Sequence, residues 1–353
     1  MTLAILDDDV FPGGFYAGAV RTILDLQQGS GAIPWHDGGV FDAWNHVEAA
    51  MGLAVAGHAE PARRAFLYLA ETQERDGSWW GTYHGDTSGK RIRDTNFCAY
   101  IATGLWHSYL LTGDCSALAE FWPVVAGALG FVLSLQADEG DIRWAARDAH
   151  TREDDALVAG CASIYKSLEC GVLIGNVLGK PSRDWQQARM HLGHALRTKP
   201  ERFDRTWPSK ANFSMSWYYP VLAGVLRGRH ARNHLAARWP DFVAEGLGCR
   251  CVQEQPWVTV AEGAELAIAL AAAGRRAEAL EMLRWQHQWR DTDGAYWMGY
   301  QFEANTHWPR EKPAWTAAAL LLAADALAGT TPAARLFTEV AIPDALSDAL
   351  EQC

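Results

Sequence analysis

Apolar residues recur with a helical period along nearly the whole chain, and the alternation typical of strands is almost absent. Six segments are apolar on nearly all sides, which predicts buried helices at about residues 43–56, 94–111, 157–178, 214–227, 257–273 and 312–328. Six others carry a polar face, which predicts surface helices at about residues 13–28, 60–73, 115–136, 182–197, 229–239 and 275–289. Because the two kinds alternate, we expect six helical hairpins.

A short phrase returns six times between the helices: a polar residue, a turn rich in Gly or Asp, and then Trp. Its clearest copies lie at residues 73–80 and 288–297. Internal periods of this size indicate a repeat architecture. The pattern therefore predicts an all-α fold, a single (α/α)6 toroid in which the first helix pairs with the last buried one. No linker or low-complexity run divides the chain, so residues 1–353 are expected to form one domain.

Composition narrows the function. The chain has 353 residues, 49% hydrophobic, and a formal net charge of −11. No basic patch of the kind that binds nucleic acid is present. We find no run of 18 apolar residues, which predicts no membrane span, and no signal peptide at the N-terminus. Seven scattered cysteines favour a reduced, cytoplasmic protein, while the oligomeric state, including a homodimer, stays open.

Three glutamates recur at one position of otherwise apolar helices: Glu48, Glu169 and Glu265 lie nine or ten residues before the Gly that ends each helix. A buried carboxylate needs hydrogen-bond partners. Repetition of the same residue at the same position therefore predicts that these glutamates brace neighbouring segments.

One helical turn before the glutamates the three helices carry different residues. Such divergence at a repeated position is typical of a functional site built on a repeated frame. The three positions hold Asn45, Lys166 and Glu262. We interpret Glu262 as a candidate catalytic carboxylate and the other two as substrate-binding residues. A second structural carboxylate is the alternative for Glu262.

The segment at residues 34–46 is the richest in functional groups. Asp42 opens the first buried helix, where it serves as a helix cap, as a catalytic carboxylate, or as both. Asp37 is expected to assist by orienting a water molecule. Asp94 and Asn96 open the second buried helix in the same way and are candidate substrate ligands, although Asp94 also fits a cap.

Aromatic residues are abundant, with 17 Trp and 10 Tyr. Those beside polar turn residues are candidates for sugar stacking, because a ring offers a flat apolar face with polar edges. Together with nearby histidines, the substrate-binding candidates are Trp35, His36, His46, Trp79, Trp80, Tyr83, Trp217, Tyr218, Trp257, Trp297, His307 and Trp308. No zinc, phosphate-binding or nucleophile motif is found, so no metal and no cofactor is expected.

Two resemblances follow from these residues. The Trp-containing turns and residues 94–100 resemble the α/α toroids of terpene cyclases and prenyltransferase-like proteins, although the Asp-x-Asp-Asp acid of the cyclases is missing. The segment Phe41-Asp42-Ala43-Trp44, followed much later by Glu262, resembles inverting (α/α)6 glycoside hydrolases, most closely the mycobacterial hydrolases of methylmannose polysaccharides.

The second resemblance implies a glycoside hydrolase, endo-acting and inverting, that cleaves α-mannosidic bonds of a partly O-methylated oligosaccharide or polysaccharide. It also implies that Asp42 is the acid and Glu262 the base. The physical argument favours the opposite order, because an apolar helix around Glu262 should keep it protonated. The roles therefore stay open.

Two other functions remain as alternatives. Some toroids of this type shift protons with paired histidines, and here His46 and His307 would form the pair of a sugar epimerase or isomerase. A protein resembling terpenoid cyclases would instead have an apolar lumen. A carboxylate pair in one open groove favours the hydrolase over both.

Overall fold

The computed structural model describes residues 14–84, 87–89, 91–147 and 151–343, and most of these residues are helical. The helices are α1 (Ala17–Leu26), α2 (Ala43–Val55), α3 (Ala59–Thr72), α4 (Thr95–Thr112), α5 (Cys115–Leu133), α6 (Val158–Leu178), α7 (Arg183–Thr198), α8 (Ser214–Leu222), α9 (Gly228–Ala237), α10 (Trp239–Phe242), α11 (Val260–Ala272), α12 (Arg276–Gln286) and α13 (Ala314–Ala328). Each of the twelve predicted segments overlaps one of them, and the four-residue α10 is an addition.

The apolar helices contact one another in a closed cycle. Along this cycle α2 meets α4, α4 meets α6, α6 meets α8, α8 meets α11, α11 meets α13, and α13 returns to α2. Each of them also packs against a more polar helix, in the pairs α13 with α1, α2 with α3, α4 with α5, α6 with α7, α8 with α9, and α11 with α12. The predicted alternation of buried and surface helices therefore corresponds to an inner cycle and outer partners.

Short turns join the inner helices α2, α4, α6, α8 and α11 to their outer partners, whereas α13 and its partner α1 lie at opposite ends of the described chain. Helices α4 and α6 end at Gly113 and Gly179, with φ of 66° and 62°, a left-handed conformation that an L side chain rarely adopts. Long connections join each outer helix to the next inner one. They cover residues 27–42, 73–94, 134–157, 199–213, 243–259 and 287–313. These long connections lead into the N-terminal ends of the inner helices, where the candidate residues lie.

The buried apolar side chains of the described residues form one continuous cluster from Tyr16 to Leu336. Small residues bring the inner helices close together. A Cβ added to Gly52 of α2 would lie only 2.8 Å from the Cβ of Ala318 in α13. Helices α5 and α6 are long and apolar enough to cross a membrane by length and composition, but 78% of the apolar window of α6 is buried among the other helices. Packing in the core accounts for the composition of α6.

Nine short strands within the described ranges were not anticipated from the sequence. They are β1 (Tyr83–His84), β2 (Thr87–Ser88), β3 (Arg93–Asp94), β4 (Ala145–Ala146), β5 (Val243–Ala244), β6 (Gly248–Arg250), β7 (Trp257–Thr259), β8 (Gly299–Gln301) and β9 (Thr306–His307). The last five form an antiparallel sheet in the order β5-β6-β7-β8-β9. Strands of two or three residues are too short to show alternation, so the expectation of helices without strands was too simple.

Candidate active site

Asp42 lies at the N-terminus of α2 and is fully buried. Its Oδ1 accepts a hydrogen bond from the backbone N of Asn45 at 2.9 Å, so it caps the helix as expected. Its Oδ2 accepts from Asn45 Nδ2 at 2.6 Å and from Trp35 Nε1 at 2.8 Å. Burial raises the pKa of Asp42, although these hydrogen bonds oppose the rise. Asn45 and Trp35 therefore hold the carboxyl group in one orientation.

Glu262 lies in the first turn of α11 and is 8% exposed. Its Oε2 has no hydrogen-bond partner among the described residues. Burial raises the pKa of the Cys251 thiol, and the neighbouring Glu262 adds to the rise. A buried carboxylate oxygen without a partner is unusual in a folded protein and points to a ligand or water that completes it.

The carboxyl groups of α2 and α11 lie close enough to interact. The pKa of Glu48 is raised well above its ordinary value by burial first, and then by the charges of Glu265, Asp42 and Glu262. Glu265 accepts hydrogen bonds from the hydroxyls of Tyr218 and of Tyr219, the latter at 3.1 Å. Burial raises the pKa of Glu265 to about 8, and Glu262 adds to the rise. We call these four interacting carboxyl groups of α2 and α11 the carboxyl cluster.

The three recurring glutamates do not share one environment. Glu169 is bound by cations: its Oε2 accepts from Arg189 at 2.8 Å and from Lys166 at 3.4 Å. Its Oε1 accepts from the backbone N of Ala341 at 2.6 Å. Glu169 therefore braces a neighbouring segment as predicted, whereas Glu48 and Glu265 belong to the carboxyl cluster.

Lys166 was expected to bind substrate, and the structure gives it another role. It is 2% exposed, and its Nζ donates to Glu169 and, at 3.1 Å, to the carbonyl of Glu339. A buried lysine needs such partners because its charge is otherwise costly. Asn45 and Glu262 therefore lie with the carboxyl cluster, whereas Lys166 lies in the ionic contact around Glu169.

A cavity of about 270 Å³ lies at the N-terminal ends of α4, α6 and α8. Trp44 of α2 lines it and also packs edge-on against Tyr219, with ring centroids 5.9 Å apart. The predicted ligands Asp94 and Asn96 line it as well. Asp94 caps α4 through the backbone N of Asn96, as its alternative interpretation anticipated. Asn96 is 4% exposed, and its Oδ1 has no hydrogen-bond partner in the described structure.

Several aromatic candidates are accessible at the long connections. Trp257 and Trp308 pack edge-on, and Trp257 Nε1 donates to the carbonyl of Trp308 at 2.7 Å. Trp308 is 54% exposed. Trp297 stacks on His307 at 5.1 Å, and Trp80 packs against the Arg93 guanidinium at 4.8 Å.

Three aromatic candidates are instead part of the core. Trp79 and Trp217 are 1% exposed, and their Nε1 atoms donate to the carbonyls of Leu69 and His234. Tyr83 is buried and stacks on Phe41 at 4.8 Å. Their neighbours in sequence are polar turn residues, but these side chains point into the helix packing, so we correct their assignment to a structural role. Tyr218 is fully buried as well and contacts Glu265.

The histidine pair required for an isomerase is not formed. Both ring nitrogens of His46 are engaged, since Nδ1 accepts from Ile33 N at 3.1 Å and Nε2 lies 2.9 Å from the carbonyl of Ala65. Burial lowers the pKa of His46 to about 4, so the ring is neutral. His307 contacts Trp289, Trp297 and Tyr300, a different set of side chains. We therefore assign His46 to the core.

The loop before Asp42 is more open than expected. Asp37 is exposed, and its backbone carbonyl contacts the ring of His36 at 3.0 Å. The other ring nitrogen of His36 lies 3.7 Å from Glu311. These contacts lie outside the carboxyl cluster, so a water-orienting role of Asp37 stays a prediction.

Some residues of the site were missed by sequence reasoning. Tyr100 and Tyr219 pack around Trp44, and Phe213 and Met215 line the cavity. The sequence did contain a signal for the segment from Phe213 to Tyr219. Five of its seven residues are apolar or aromatic, and they lie at the start of a predicted inner helix. Among the described residues, no group of three His, Cys, Asp or Glu side chains is placed to hold a metal ion.

Solved structures with a similar fold include glycoside hydrolases. A glycosidase variant in complex with glucose gives a TM-score of 0.71 at 15% identity, covering 90% of this chain and 96% of its own. The GH63 mannosylglycerate hydrolase from Thermus thermophilus, in complex with Tris and D-glycerate, gives 0.67 at 13% identity, covering 87% and 99%. At these identities the likeness concerns the fold alone.

A sequence relative gives the family. The MMP endo-(1,4)-3-O-methyl-alpha-D-mannosidase of Mycolicibacterium hassiacum is 46% identical over 326 residues, which are 92% of this chain and 89% of the mannosidase. No protein-family model matches the chain. The chain belongs to the family of this mannosidase and is a glycoside hydrolase, which favours the hydrolase hypothesis over the isomerase and the terpenoid-type protein.

Proposed function

We propose that this protein hydrolyses α-(1,4)-mannosidic bonds inside a methylated mannose polysaccharide, with Asp42 and Glu262 as the catalytic carboxyl pair. The substrate is taken from the name of the 46% identical mannosidase. The observation that carries the pair is that buried Asp42 and Glu262, at the starts of α2 and α11, both act on the pKa of Glu48, while Asp42 is held in place and Glu262 has a buried oxygen without a hydrogen-bond partner among the described residues. Glycoside hydrolysis requires two such groups with different protonation states.

The environments suggest which group does which step. Burial raises the pKa of Asp42, which favours a proton on it, and a protonated carboxyl can still accept from Asn45 and Trp35. Asp42 then donates its proton to the glycosidic oxygen as that bond breaks. The unpaired Oε2 of Glu262 accepts a proton from a water that attacks the anomeric carbon on the opposite face. This order agrees with the family resemblance and reverses the assignment made from hydrophobicity alone.

An inverting reaction places the two carboxyl groups about 6.5–9.5 Å apart, because a water must fit between Glu262 and the sugar. Tyr218 and Tyr219 hold Glu265 beneath this site. Glu265 and Glu48 favour protonated forms through burial. They therefore add little negative charge next to the pair at neutral pH.

The frame of this site is proposed to be an (α/α)6 toroid that forms one domain. The closed contact cycle of six inner helices and the continuous core support this architecture. The substrate would lie across the face that carries the long connections, where Trp257, Trp308 and Trp80 offer rings to successive sugars. We expect the protein to be cytoplasmic and to act without nucleic acid or membrane partners.

The test is the loss of hydrolysis in Asp42→Asn and Glu262→Gln. Each substitution keeps the size of the side chain and removes its acid–base function, so turnover of α-(1,4)-linked, 3-O-methylated manno-oligosaccharides should fall at least ~10³-fold, while circular dichroism and the unfolding midpoint stay close to wild type. Matched controls are Asp114→Asn, which caps exposed α5 as Asp42 caps α2, and Glu278→Gln in the first turn of α12.

Both controls should retain full activity. Normal cleavage by both active-site variants would refute the pair, and loss of activity in only one would leave the other without a catalytic role. Product anomers observed by NMR during turnover decide the stereochemistry, since an inverting enzyme releases the β-anomer from an α-linked chain.

A further inference from the structure

We propose that the cavity lined by Trp44, Asn96, Gly160, Phe213 and Met215, here called the methyl pocket, receives the O-methyl groups of the substrate and so determines specificity for methylated chains. The inference rests on the proposed function, because it concerns how the same site selects its sugar. It assigns a binding role to Trp44, Gly160, Phe213 and Met215, which the sequence did not mark as ligands, beside the predicted ligand Asn96.

The wall of the methyl pocket is mostly apolar. Besides Trp44, the side chains of Phe97, Leu157, Ile164 and Met215 line it. A sugar hydroxyl placed against such a wall would lose hydrogen bonds to water without replacement. A methoxyl group offers a methyl surface that gains from burial instead.

One buried polar atom sits in this apolar surface. Asn96 is 4% exposed, yet its Oδ1 has no hydrogen-bond partner among the described residues. An amide left in this state is costly unless a ligand completes it. A free sugar hydroxyl can donate a hydrogen bond to Asn96 Oδ1, whereas a methyl ether cannot. A sugar that carries both a hydroxyl and a methoxyl group can therefore bind the amide and the apolar wall at once.

The volume of the methyl pocket is large enough to hold part of a sugar. The methyl pocket holds about 270 Å³. A water molecule occupies ~30 Å³ in the liquid, so the space is larger than a methyl group needs and can take the edge of a ring with its substituent. Lys210, whose Nζ lies 5.5 Å from the ring of Phe213, adds a donor at the lining.

The position of the methyl pocket links it to the reaction. Trp44 lies two residues after Asp42, and its ring packs edge-on against both Tyr100 and Tyr219 at 5.9 Å. Tyr219 in turn donates to Glu265 of the carboxyl cluster. Trp44 and Tyr219 thus connect the lining of the methyl pocket to the carboxyl cluster, and the binding energy of a sugar held there is expected to contribute to kcat/KM.

Gly160 offers a way to fill the methyl pocket without disturbing its frame. It lines the cavity from the first turn of α6, and an added Cβ would meet only ordinary contacts, 3.6 Å from the Cβ of Asn96 and 3.7 Å from that of Leu157. The experiment compares Gly160→Leu with wild type on two synthetic α-(1,4)-linked tetramannosides, one 3-O-methylated and one unmethylated. Gly130→Leu, on an exposed face of α5 with open space around it, is the matched control.

We expect kcat/KM of Gly160→Leu to fall roughly tenfold or more on the methylated substrate and to change less than about twofold on the unmethylated one. The control should match wild type on both. Met215→Gln keeps the side-chain length but makes the wall polar, so it should also reduce the preference for the methylated over the unmethylated tetramannoside. This second variant tests the methyl pocket if Gly160→Leu does not fold.

An equal loss on both substrates, or no change on either, overturns the methyl pocket while leaving the hydrolase intact. Absence of cleavage of both tetramannosides by the wild-type protein would instead refute the proposed function. The two failures are therefore distinguishable.

Discussion

At the residue scale, the molecule shows how one side chain acquires different chemistry from its neighbours. Glu169 and Glu265 occupy equivalent positions of α6 and α11, but Glu169 faces Arg189 while Glu265 faces two tyrosine hydroxyls. A cation stabilises the ionised carboxylate, whereas two neutral hydroxyls offset only part of the cost of burying its charge. Glu265 is therefore expected to make stability depend on pH near neutrality.

Glu265→Gln should flatten the dependence of stability on pH. The pKa of Glu265 is raised from 4.5 to about 8, first by burial. Between these values the folded protein holds a proton that the unfolded chain has lost, so the free energy of unfolding falls as pH rises. Below about pH 4.5 both states hold the proton, and above about pH 8 both have lost it, so the contribution changes only within this window. The glutamine variant has no proton to lose there.

The measurement is the urea unfolding free energy of wild type and variant at several pH values from about 4.5 to about 8.5, a range that spans the window of this titration. The exposed Glu278→Gln serves as the control and should reproduce the wild-type slope. Equal slopes for wild type and Glu265→Gln would mean that another group carries the pH dependence, such as Glu48, whose pKa is also raised by burial.

Spacing along the chain identified the residues of the site but not their partners. The positions of Asp42, Glu262 and Asn45 follow from the apolar pattern and from the start of each inner helix. The environments of Glu169 and Glu265 depend on Arg189 of α7 and on the tyrosines of α8. Such contacts come from tertiary packing, which no single periodicity encodes.

At the element scale, a buried ionic clamp fastens the segment after α13 to the hairpin of α6 and α7. Glu169 accepts from Ala341 N, and Arg189 Nη1 donates to the carbonyl of Ile342 at 2.8 Å. Lys166 donates to the carbonyl of Glu339. Three charged side chains, each at most 2% exposed, thus satisfy one another and the backbone of a distant segment.

Removing one member of the clamp should be costly. Glu169→Ala leaves Arg189 and Lys166 buried without their anion, which is expected to lower the free energy of unfolding by roughly 3–5 kcal/mol. Glu120→Ala, which breaks the exposed pair with Arg63, should cost about 1 kcal/mol or less. Urea denaturation measures both, and hydrogen exchange should rise at residues 339–342 only in the first variant. Comparable stabilities of the two variants would show that the clamp contributes no more than a surface pair.

Element boundaries were predicted less well than element types. The fifth inner helix was expected from residue 257, but residues 257–259 form β7 and the helix begins at Val260. Val258 and Thr259 are β-branched and pair with β8. The sequence did not predict this strand because the residues that follow have a helical pattern. Similarly, α8 ends at Leu222 although apolar residues continue to 226.

At the scale of the whole molecule, closure of the inner cycle depends on the junction of α2 and α13. Gly52 lets these helices approach so closely that an added Cβ would meet Ala318 at 2.8 Å and 2.9 Å. The two atoms are the Cβ and Cα of Ala318, which are fixed to the backbone of packed α13 and have little room to move. The pair Asp42 and Glu262 stands on helices that both touch α13, so this junction also supports the site.

Gly52→Ala should therefore lower the free energy of unfolding by roughly 1–3 kcal/mol through overpacking. Gly130→Ala, at an exposed helical position with open space, should raise it by about 0.5–1 kcal/mol. Thermal and urea unfolding compare the two alanine variants directly. The same sign of change in both would contradict the view that close approach at Gly52 holds the cycle together.

The closed cycle also has a consequence for synthesis on the ribosome. Helix α2 is made early, yet the surface that Ala318 covers must wait for α13, and Glu169 must wait for Ala341. Contacts between such distant parts of a chain form slowly, and apolar surface left open in the meantime favours aggregation. The speed of translation across the second half of the message is therefore expected to govern how much protein escapes aggregation, because α13 sets the time at which the inner helices are first shielded from water.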